Sequence, residues 1–287
     1  MGTEDFKIDA KAHIGTVSLR VADLARSLVF YTQILGFKSE DATSGRVRLQ
    51  TADGTTLLEL VEHSGAQPKP RRSTGLYHFA ILTPDRAALG ASFKHLMKSG
   101  YPLTGAADHL VSEALYLEDP DKNGIEIYRD RPREEWPFEG NEVRMANDEV
   151  DLDSLFRDAG DAPFEGLRAG TTMGHVHLHV RDLDEAEAFY CGILGFDVMQ
   201  RWQPSALFVS AGGYHHHIGL NTWAGVGAPP PPQESAGLEH YQIVFPDNVS
   251  VHSVLDRLQK GGIKVSETEN GAFVRDPSGN GILLRVG

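Results

Sequence analysis

The sequence predicts an α+β fold made of four βαβββ modules in two homologous halves. Long stretches of the first half recur in the second half at a nearly constant offset of about 160 residues, which indicates an internal repeat. Within each half, a segment of alternating apolar and polar residues predicts an opening strand. A helix with an acidic N-cap and three short strand candidates follow it, and the same order then occurs a second time.

The internal repeat is visible in four spaced motifs that occur in both halves. Two motifs lie near the start of each half: GTVSLRVADL at 15–24 recurs as GHVHLHVRDL at 174–183, and FY…LGF at 30–37 recurs at 189–196. Two more lie further on: GLYHFAILTPD at 75–85 matches GLEHYQIVFPD at 237–247, and DP…NG at 119–124 recurs at 276–281. Agreement at this many spaced positions indicates that the two halves share one fold.

The two halves are therefore predicted to form two domains of two modules each. The N-terminal domain spans 9–133 and the C-terminal domain spans 170–287. The segment between them, 134–169, is acidic and contains the run DEVDLD at 148–153. We expect this segment to be a linker that can pack as a short helix.

The element order is clearest in the C-terminal half. His175–Val180 alternates as a strand does, and Asp182 is the acidic N-cap of a helix over Glu185–Leu194 that ends at Gly195. The next predicted elements are, in chain order, strands over Asp197–Trp202, Ala206–Ala211, His215–Trp223 and Tyr241–Phe245, a helix over about Ser250–Lys260, and three short strands.

The composition indicates a globular protein of a reducing compartment. Lys and Arg total 27 against 40 Asp and Glu, a net charge of −13, which argues against nucleic acid as a partner. No apolar run approaches the roughly 18 residues of a membrane span, and the start, MGTEDFKIDAKAH, lacks signal-peptide features. The single cysteine, Cys191, excludes an intrachain disulfide and a cysteine-based zinc cluster. We therefore expect a cytoplasmic protein without a membrane partner.

The motifs FY…LGF and DP…NG, with histidines on opening strands, resemble those of the vicinal oxygen chelate superfamily over both halves. GLYHFAIL, DHLVSEALYLEDPDKNGIEIYRDRP, GHVHL and GGYHHHIGLNTW are similar to segments of its extradiol ring-cleaving dioxygenases of the catechol 2,3-dioxygenase type. The resemblance implies two glyoxalase/extradiol-dioxygenase-like domains. It also implies Fe(II), with Mn(II) as the alternative, and a small aromatic diol and O₂ as substrates. A homo-oligomer is a further expectation.

The resemblance implies metal ligands on the opening and last strands of modules. Those positions hold Thr16 and Glu59, His78 and Glu126, His175 and the 215–217 cluster, and His240 and Leu283. Pairing modules within each half gives no complete set, although a site with His175 and His240 stays an alternative. Pairing the second module with the third, an exchange that occurs in the superfamily, gives His78, Glu126 and His175. This is the two-histidine, one-carboxylate set of non-haem Fe(II) oxygenases.

The resemblance also implies three residues that act on the substrate. Tyr116, ten residues before Glu126, and His109 would hold the substrate oxygens. His216, the second member of a His-His pair, would be the acid–base residue. On the predicted strand, His215 and His217 face one way and His216 the other. The leftover modules would keep Glu59 and His240 in a structural role.

The implied reaction inserts both atoms of O₂ into a catechol-type diol and opens the ring to a semialdehyde acid. One alternative is a glyoxalase-like isomerase or epimerase, which would use a fourth protein ligand within 215–219. The other is a metal-free module that binds small aromatic ligands and would not need His78, Glu126 and His175. Single strand histidines such as His177, His179 and His240 are ordinarily core or surface residues.

Overall fold

The structure is a computed structural model that describes residues 6–40, 43–140 and 142–287. Its strands are β1 (His13–Val21), β2 (Lys38–Ser39), β3 (Arg46–Gln50), β4 (Thr56–Glu62), β5 (Gly75–Leu82), β6 (Gly105–Asp108), β7 (Ser112–Glu118), β8 (Gly124–Asp130), β9 (Phe138–Glu139), β10 (Glu142–Val143), β11 (Thr172–His179), β12 (Asp197–Trp202), β13 (Ala206–Ser210), β14 (Ile218–Asn221), β15 (Gly237–Phe245), β16 (Ser266–Thr268), β17 (Gly271–Arg275) and β18 (Gly281–Val286). Its α-helices are α1 (Leu24–Val29), α2 (Arg86–Ser99), α3 (Leu152–Asp158), α4 (Leu183–Glu187) and α5 (Asn248–Lys260). No helix in these described ranges is long and apolar enough to cross a membrane.

The strands form two eight-stranded sheets that combine modules from different halves. In the first sheet, ordered β16-β17-β18-β15-β1-β4-β3-β2, the first module pairs with the fourth. In the second sheet, ordered β12-β13-β14-β11-β5-β8-β7-β6, the second module pairs with the third. The two opening strands are antiparallel at each junction, β1 with β15 and β5 with β11. The predicted α+β class with βαβββ modules is confirmed, and the modules pair in the crossed manner.

Most predicted elements of the C-terminal half are present with shifted ends. The helix expected over Glu185–Leu194 is split, because α4 ends at Glu187 and a π-helical turn over Ala188–Ile193 continues it. Its N-cap is Asp182, whose side chain accepts the backbone N–H of Glu185 at 2.9 Å. α5 begins two residues before the expected Ser250, because the side chain of Asp247 caps it there.

The segment expected as a linker has its own structure. It contains the β9–β10 hairpin and α3, which packs against α2. The two helices approach closely at Gly90, where an added Cβ would lie 2.5 Å from the carbonyl oxygen of Leu155. A glycine is needed there because any side chain would push α3 away.

The strand expected over His215–Trp223 is wrong at its start. β14 begins only at Ile218. Gly212 and Gly213 both have positive φ, 59° and 67°, and they turn the chain before it enters the strand. Without a regular strand, side chains need not alternate between faces, and His215 and His216 are both buried. The prediction that these two histidines face opposite ways therefore has no basis in the structure.

The motifs that reveal the repeat tie the two modules of each half together. The hydroxyl of Tyr31, from FY…LGF, donates to Asp119 Oδ2 at 2.8 Å, and Asp119 also accepts the backbone N–H groups of Asp121 and Asn123. In the second half, the Tyr190 hydroxyl donates to Asp276 Oδ2 at 3.0 Å in the same way. These buried contacts connect modules that lie in different sheets, so the motifs have a structural role.

Replacing Asp119 by alanine should lower the free energy of unfolding by about 2–4 kcal/mol, because it leaves several buried donors without an acceptor. Urea denaturation followed by circular dichroism measures this change. The control is Asp161→Ala, whose side chain is fully exposed and which should stay within about 0.5 kcal/mol of wild type. Equal stability of the two variants would show that the motif does not hold the modules together.

Candidate metal centre and substrate pocket

Three neighbouring strands of the second sheet place the predicted ligands around one small residue, Ala80. Within β5, this residue lies opposite Glu126 of β8 and opposite His175 of β11. Residues opposite each other on neighbouring strands point to the same face, and so does His78, two residues before Ala80. Because Ala80 is small and fully buried, the three larger side chains can converge above it.

The donor atoms of these side chains form a compact triangle. Nε2 of His78 lies 3.3 Å from Nε2 of His175 and 3.1 Å from Oε2 of Glu126. The distance from His175 Nε2 to the same carboxylate oxygen is 3.2 Å. Metal–ligand bonds of about 2.0–2.2 Å need donors at such separations. Two imidazoles and one carboxylate on one side of an ion are also the donor set of non-haem iron sites.

The charges in the triangle suit a bound cation. Burial lowers the pKa of His175 to about 4, so the ring is neutral near pH 7, the form that binds a metal. Burial alone would raise the pKa of Glu126, but contacts with His175 and His78 hold it well below its usual value. A buried carboxylate beside two imidazole nitrogens would balance part of the charge of a bound metal ion.

A cavity of about 770 Å³ adjoins the triangle. Its wall contains His78 and Glu126 and all three residues predicted to act on the substrate, which are His109, Tyr116 and His216. Aromatic side chains supply much of the remaining wall, among them Tyr77, Phe208 and Trp223. This volume and this mixture of aromatic surface with a few polar groups are typical of small-molecule sites.

His109 and Tyr116 form one hydrogen-bonded unit beside the triangle. His109 Nδ1 lies 2.7 Å from the carbonyl oxygen of Ala146, so this nitrogen carries the hydrogen and donates. His109 Nε2 then accepts from the Tyr116 hydroxyl at 2.6 Å. Burial raises the pKa of Tyr116, so the phenol stays neutral. Tyr116 lies directly opposite Glu126 in the β7–β8 pair, which fixes it next to the ligands.

His216 is held by a chain of two further side chains. The carboxylate of Asp130 accepts Nε2–H of His215 at 2.9 Å, which leaves His215 Nδ1 as an acceptor. His216 Nδ1 lies 2.9 Å from that acceptor and therefore carries the hydrogen. Nε2 of the neutral His216 ring then bears a free lone pair. Ring centroids of His216 and His175 are 4.1 Å apart, so this base stands next to the ligand triangle.

The sequence did not reveal two residues of this site, Asp130 behind His215 and His177 in the cavity wall. Asp130, which orients His215, carries no local signal, because 85 residues separate the two. His177, expected to be an ordinary core or surface histidine, lines the cavity and is buried. Its Nε2 has no hydrogen-bond partner among the described residues, which distinguishes it from a satisfied core histidine. Its position two residues after His175 on β11 was the one available signal.

The corresponding place in the first sheet has a different chemistry. Ser18 lies opposite His240 there, as His177 lies opposite His78 in the second sheet. Glu59 accepts hydrogen bonds from Ser18 at 3.2 Å and from Arg46 at 2.9 Å, so its charge is already balanced. Across residues 6–40, 43–140 and 142–287, His78, Glu126 and His175 are the only His, Cys, Asp and Glu side chains close enough together to hold a metal.

The register of the sheets identifies the position of a fourth ligand. Ser18 and His177 are equivalent residues of the repeat. Glu59 of β4 lies opposite Ser18, and Gly219 of β14 lies opposite His177. Gly219 therefore occupies the place that the carboxylate of Glu59 has in the first sheet. A glycine offers no side chain for a metal. The nearby His216 and His217 are not among the donor groups that lie close enough together to share a metal. The described part of the chain therefore offers three candidate ligands and no side chain at the fourth position.

Comparison with known proteins agrees with this architecture. The catechol-2,3-dioxygenase of Bacillus subtilis (strain 168) is 49% identical over 275 residues, which are 94% of this chain and 95% of the relative. Among solved structures, one from Bacillus subtilis subsp. subtilis str. 168 covers 98% of this chain and 86% of its own, with a TM-score of 0.67 and 14% identity. Glyoxalase I from Zea mays covers 96% of this chain and 92% of its own, with a TM-score of 0.56 and 16% identity. The two solved structures show the shared fold.

A family model matches both halves of the chain. The matched residues are 13–127 and 172–284, so each match spans two βαβββ modules. Together with the relative that is 49% identical over nearly the whole length, this confirms the resemblance to the vicinal oxygen chelate proteins. The chain belongs to the glyoxalase/bleomycin resistance protein/dioxygenase superfamily.

Proposed function

We propose that this chain is an extradiol dioxygenase that opens the ring of a catechol-type diol. The observation that carries the proposal is the ligand set of His78, Glu126 and His175 with a glycine, Gly219, at the fourth position. Both oxygens of a diol and one O₂ need about three open positions on the metal, which three protein ligands leave. The identity with the Bacillus subtilis catechol-2,3-dioxygenase supports the same conclusion.

The donor set fits Fe(II), and Mn(II) is the alternative. His78, Glu126 and His175 would hold the ion through two neutral imidazoles and one carboxylate. A bound ferrous ion supplies the path by which electron density passes from the diol to O₂. The product, a semialdehyde acid, contains all atoms of the diol and of O₂, so the reaction needs no external reductant.

The pocket residues would handle the protons of the diol. His216 can take a proton at Nε2, because its Nδ1–H is already given to His215. It can return that proton when the ring opens. The Tyr116 hydroxyl donates to His109, so the lone pairs of its oxygen are free to accept a hydrogen bond from the second hydroxyl of the diol. Aromatic walls at Phe208 and Trp223 would keep the ring in place and exclude water.

The two alternative functions fit the site less well. An isomerase of the glyoxalase kind was expected to show a fourth protein ligand within 215–219, but Gly219 occupies that position, and His216 and His217 lie outside the group of donor atoms close enough to share a metal. A metal-free binding module would not need two buried histidines and a buried carboxylate whose donor atoms lie within metal-binding distance of one another.

Metal analysis and oxygen uptake together test the proposal. Protein purified without air and loaded with Fe(II) should consume one O₂ per catechol, and with ¹⁸O₂ both labelled atoms should appear in the product. Protein treated with a chelator is the control and should be inactive. Conversion of a catechol without oxygen uptake, or failure to open the ring of every diol offered, would refute the assignment. Oxygen uptake by the same protein loaded with Mn(II) instead of Fe(II) shows whether Mn(II) supports the reaction. A cytoplasmic location and a homo-oligomer stay predictions.

A further inference from the structure

The acidic side chains that line the cavity all have partners. Glu118 pairs with Lys122 at 3.1 Å, and Asp121 pairs with Arg26. Glu126 lies in the ligand triangle. Although the whole chain carries a net charge of −13, the cavity wall therefore has no free negative charge at these residues.

Two cationic side chains on the same wall, unlike these acidic ones, have no partner within the described part of the chain. Lys69 and Arg71 line the cavity, and neither makes an ion pair or a hydrogen bond within the described part of the chain. Lys69 is the more informative, because it is half-buried and burial lowers its pKa. Lysines are seldom removed from water without a partner, since an ammonium group loses hydration there. An unpartnered lysine in a pocket wall suggests that its partner is a ligand.

The position of Lys69 relative to the metal ligands is set by β5 and β11. Its aliphatic part passes over Gly75, where an added Cβ would lie 3.4 Å from Cδ of the lysine. Gly75 is opposite His179, and the positive charge of Lys69 adds to burial in lowering the pKa of His179 to about 4. Gly75 precedes the ligand His78 by three residues, which is about 10 Å along a strand.

We propose that Lys69 binds the carboxylate of a substrate whose diol lies at the metal centre, so that the preferred substrates are catechols with an acidic side arm. This inference rests on the proposed function. The separation along β5 favours a carboxylate at the end of a short arm over one attached directly to the ring. The cavity of about 770 Å³ has room for such an arm beyond the ring.

The test compares dihydroxyphenylpropionic acid, in both ring isomers, with the corresponding amides, which have the same shape without the charge. Wild-type protein should show a kcat/KM for the better acid about tenfold above that for its amide, the size expected for a charged hydrogen bond. Lys69→Met should bring this ratio close to one, and Lys69→Arg should restore much of it. Lys264→Met is the matched control, because that lysine is exposed and lies outside the cavity wall, and it should keep the wild-type ratio.

Calorimetric binding of the acid and the amide to metal-loaded protein without O₂ separates this inference from the proposed function. If the acid binds about tenfold better than the amide and Lys69→Met removes the difference, the carboxylate site stands even when no ring is opened. If rings are opened but acid and amide are equivalent, or Lys69→Met leaves their ratio unchanged, the carboxylate site is refuted while the dioxygenase remains. Failure of the acid to bind would also refute it.

Discussion

Replacing Glu126 by alanine should give a folded protein that no longer retains a metal ion. Glu126 supplies the only negative charge of the ligand triangle, so its loss removes both a donor and the charge that attracts the cation. The affinity should fall by more than the roughly 10–100-fold that loss of a supporting residue costs. Metal content per chain by plasma mass spectrometry measures the loss, and circular dichroism checks that the fold is intact. His78→Ala and His175→Ala should behave in the same way.

The matched control for the ligand variants is His240→Ala. His240 occupies in the first sheet the place that His78 has in the second, opposite Ser18 instead of His177. Its removal should leave the metal content at the wild-type level. If His240→Ala loses the metal while His78→Ala retains it, the ligand assignment is wrong and a site with His175 and His240 takes its place.

Replacing His216 by glutamine should lower kcat by about 10²–10⁴-fold, the usual contribution of a positioned acid–base group. Glutamine can keep a polar contact with His215 but cannot take a proton from the diol. Because His216 is not one of the three ligands, the metal content should stay near that of wild type. Steady-state oxygen uptake and metal analysis on the same preparation measure both quantities.

His217→Gln is the neighbouring control. His217 contacts Ser210 and the backbone N–H of Ala211, so its loss should affect local stability and leave turnover within a few-fold of wild type. Loss of metal from His216→Gln would identify His216 as a fourth ligand and favour an isomerase. Full activity of that variant would remove His216 from the mechanism.

The sequence by itself determined the repeated architecture and the chemistry available to it. The motifs that recur in both halves, FY…LGF and DP…NG, are visible because buried hydrogen bonds such as Tyr31 to Asp119 require the same residues twice. The types of the predicted ligands were also readable, because imidazole and carboxylate groups on strands of this fold suit a divalent metal. A repeated motif can be read by comparing the two halves of the chain, without knowing which residues meet in the fold.

The tertiary structure alone decided which residues meet. His78 and His175 are 97 residues apart, and only the antiparallel pairing of β5 with β11 brings their rings together around Ala80. The turn at Gly212 and Gly213 delays the start of β14 to Ile218, so the strand alternation predicted for His215 and His216 does not apply. The contact of Asp130 with His215 likewise has no local signal. Such contacts are formed by strand register and packing between distant segments, which residue periodicity along the chain does not encode.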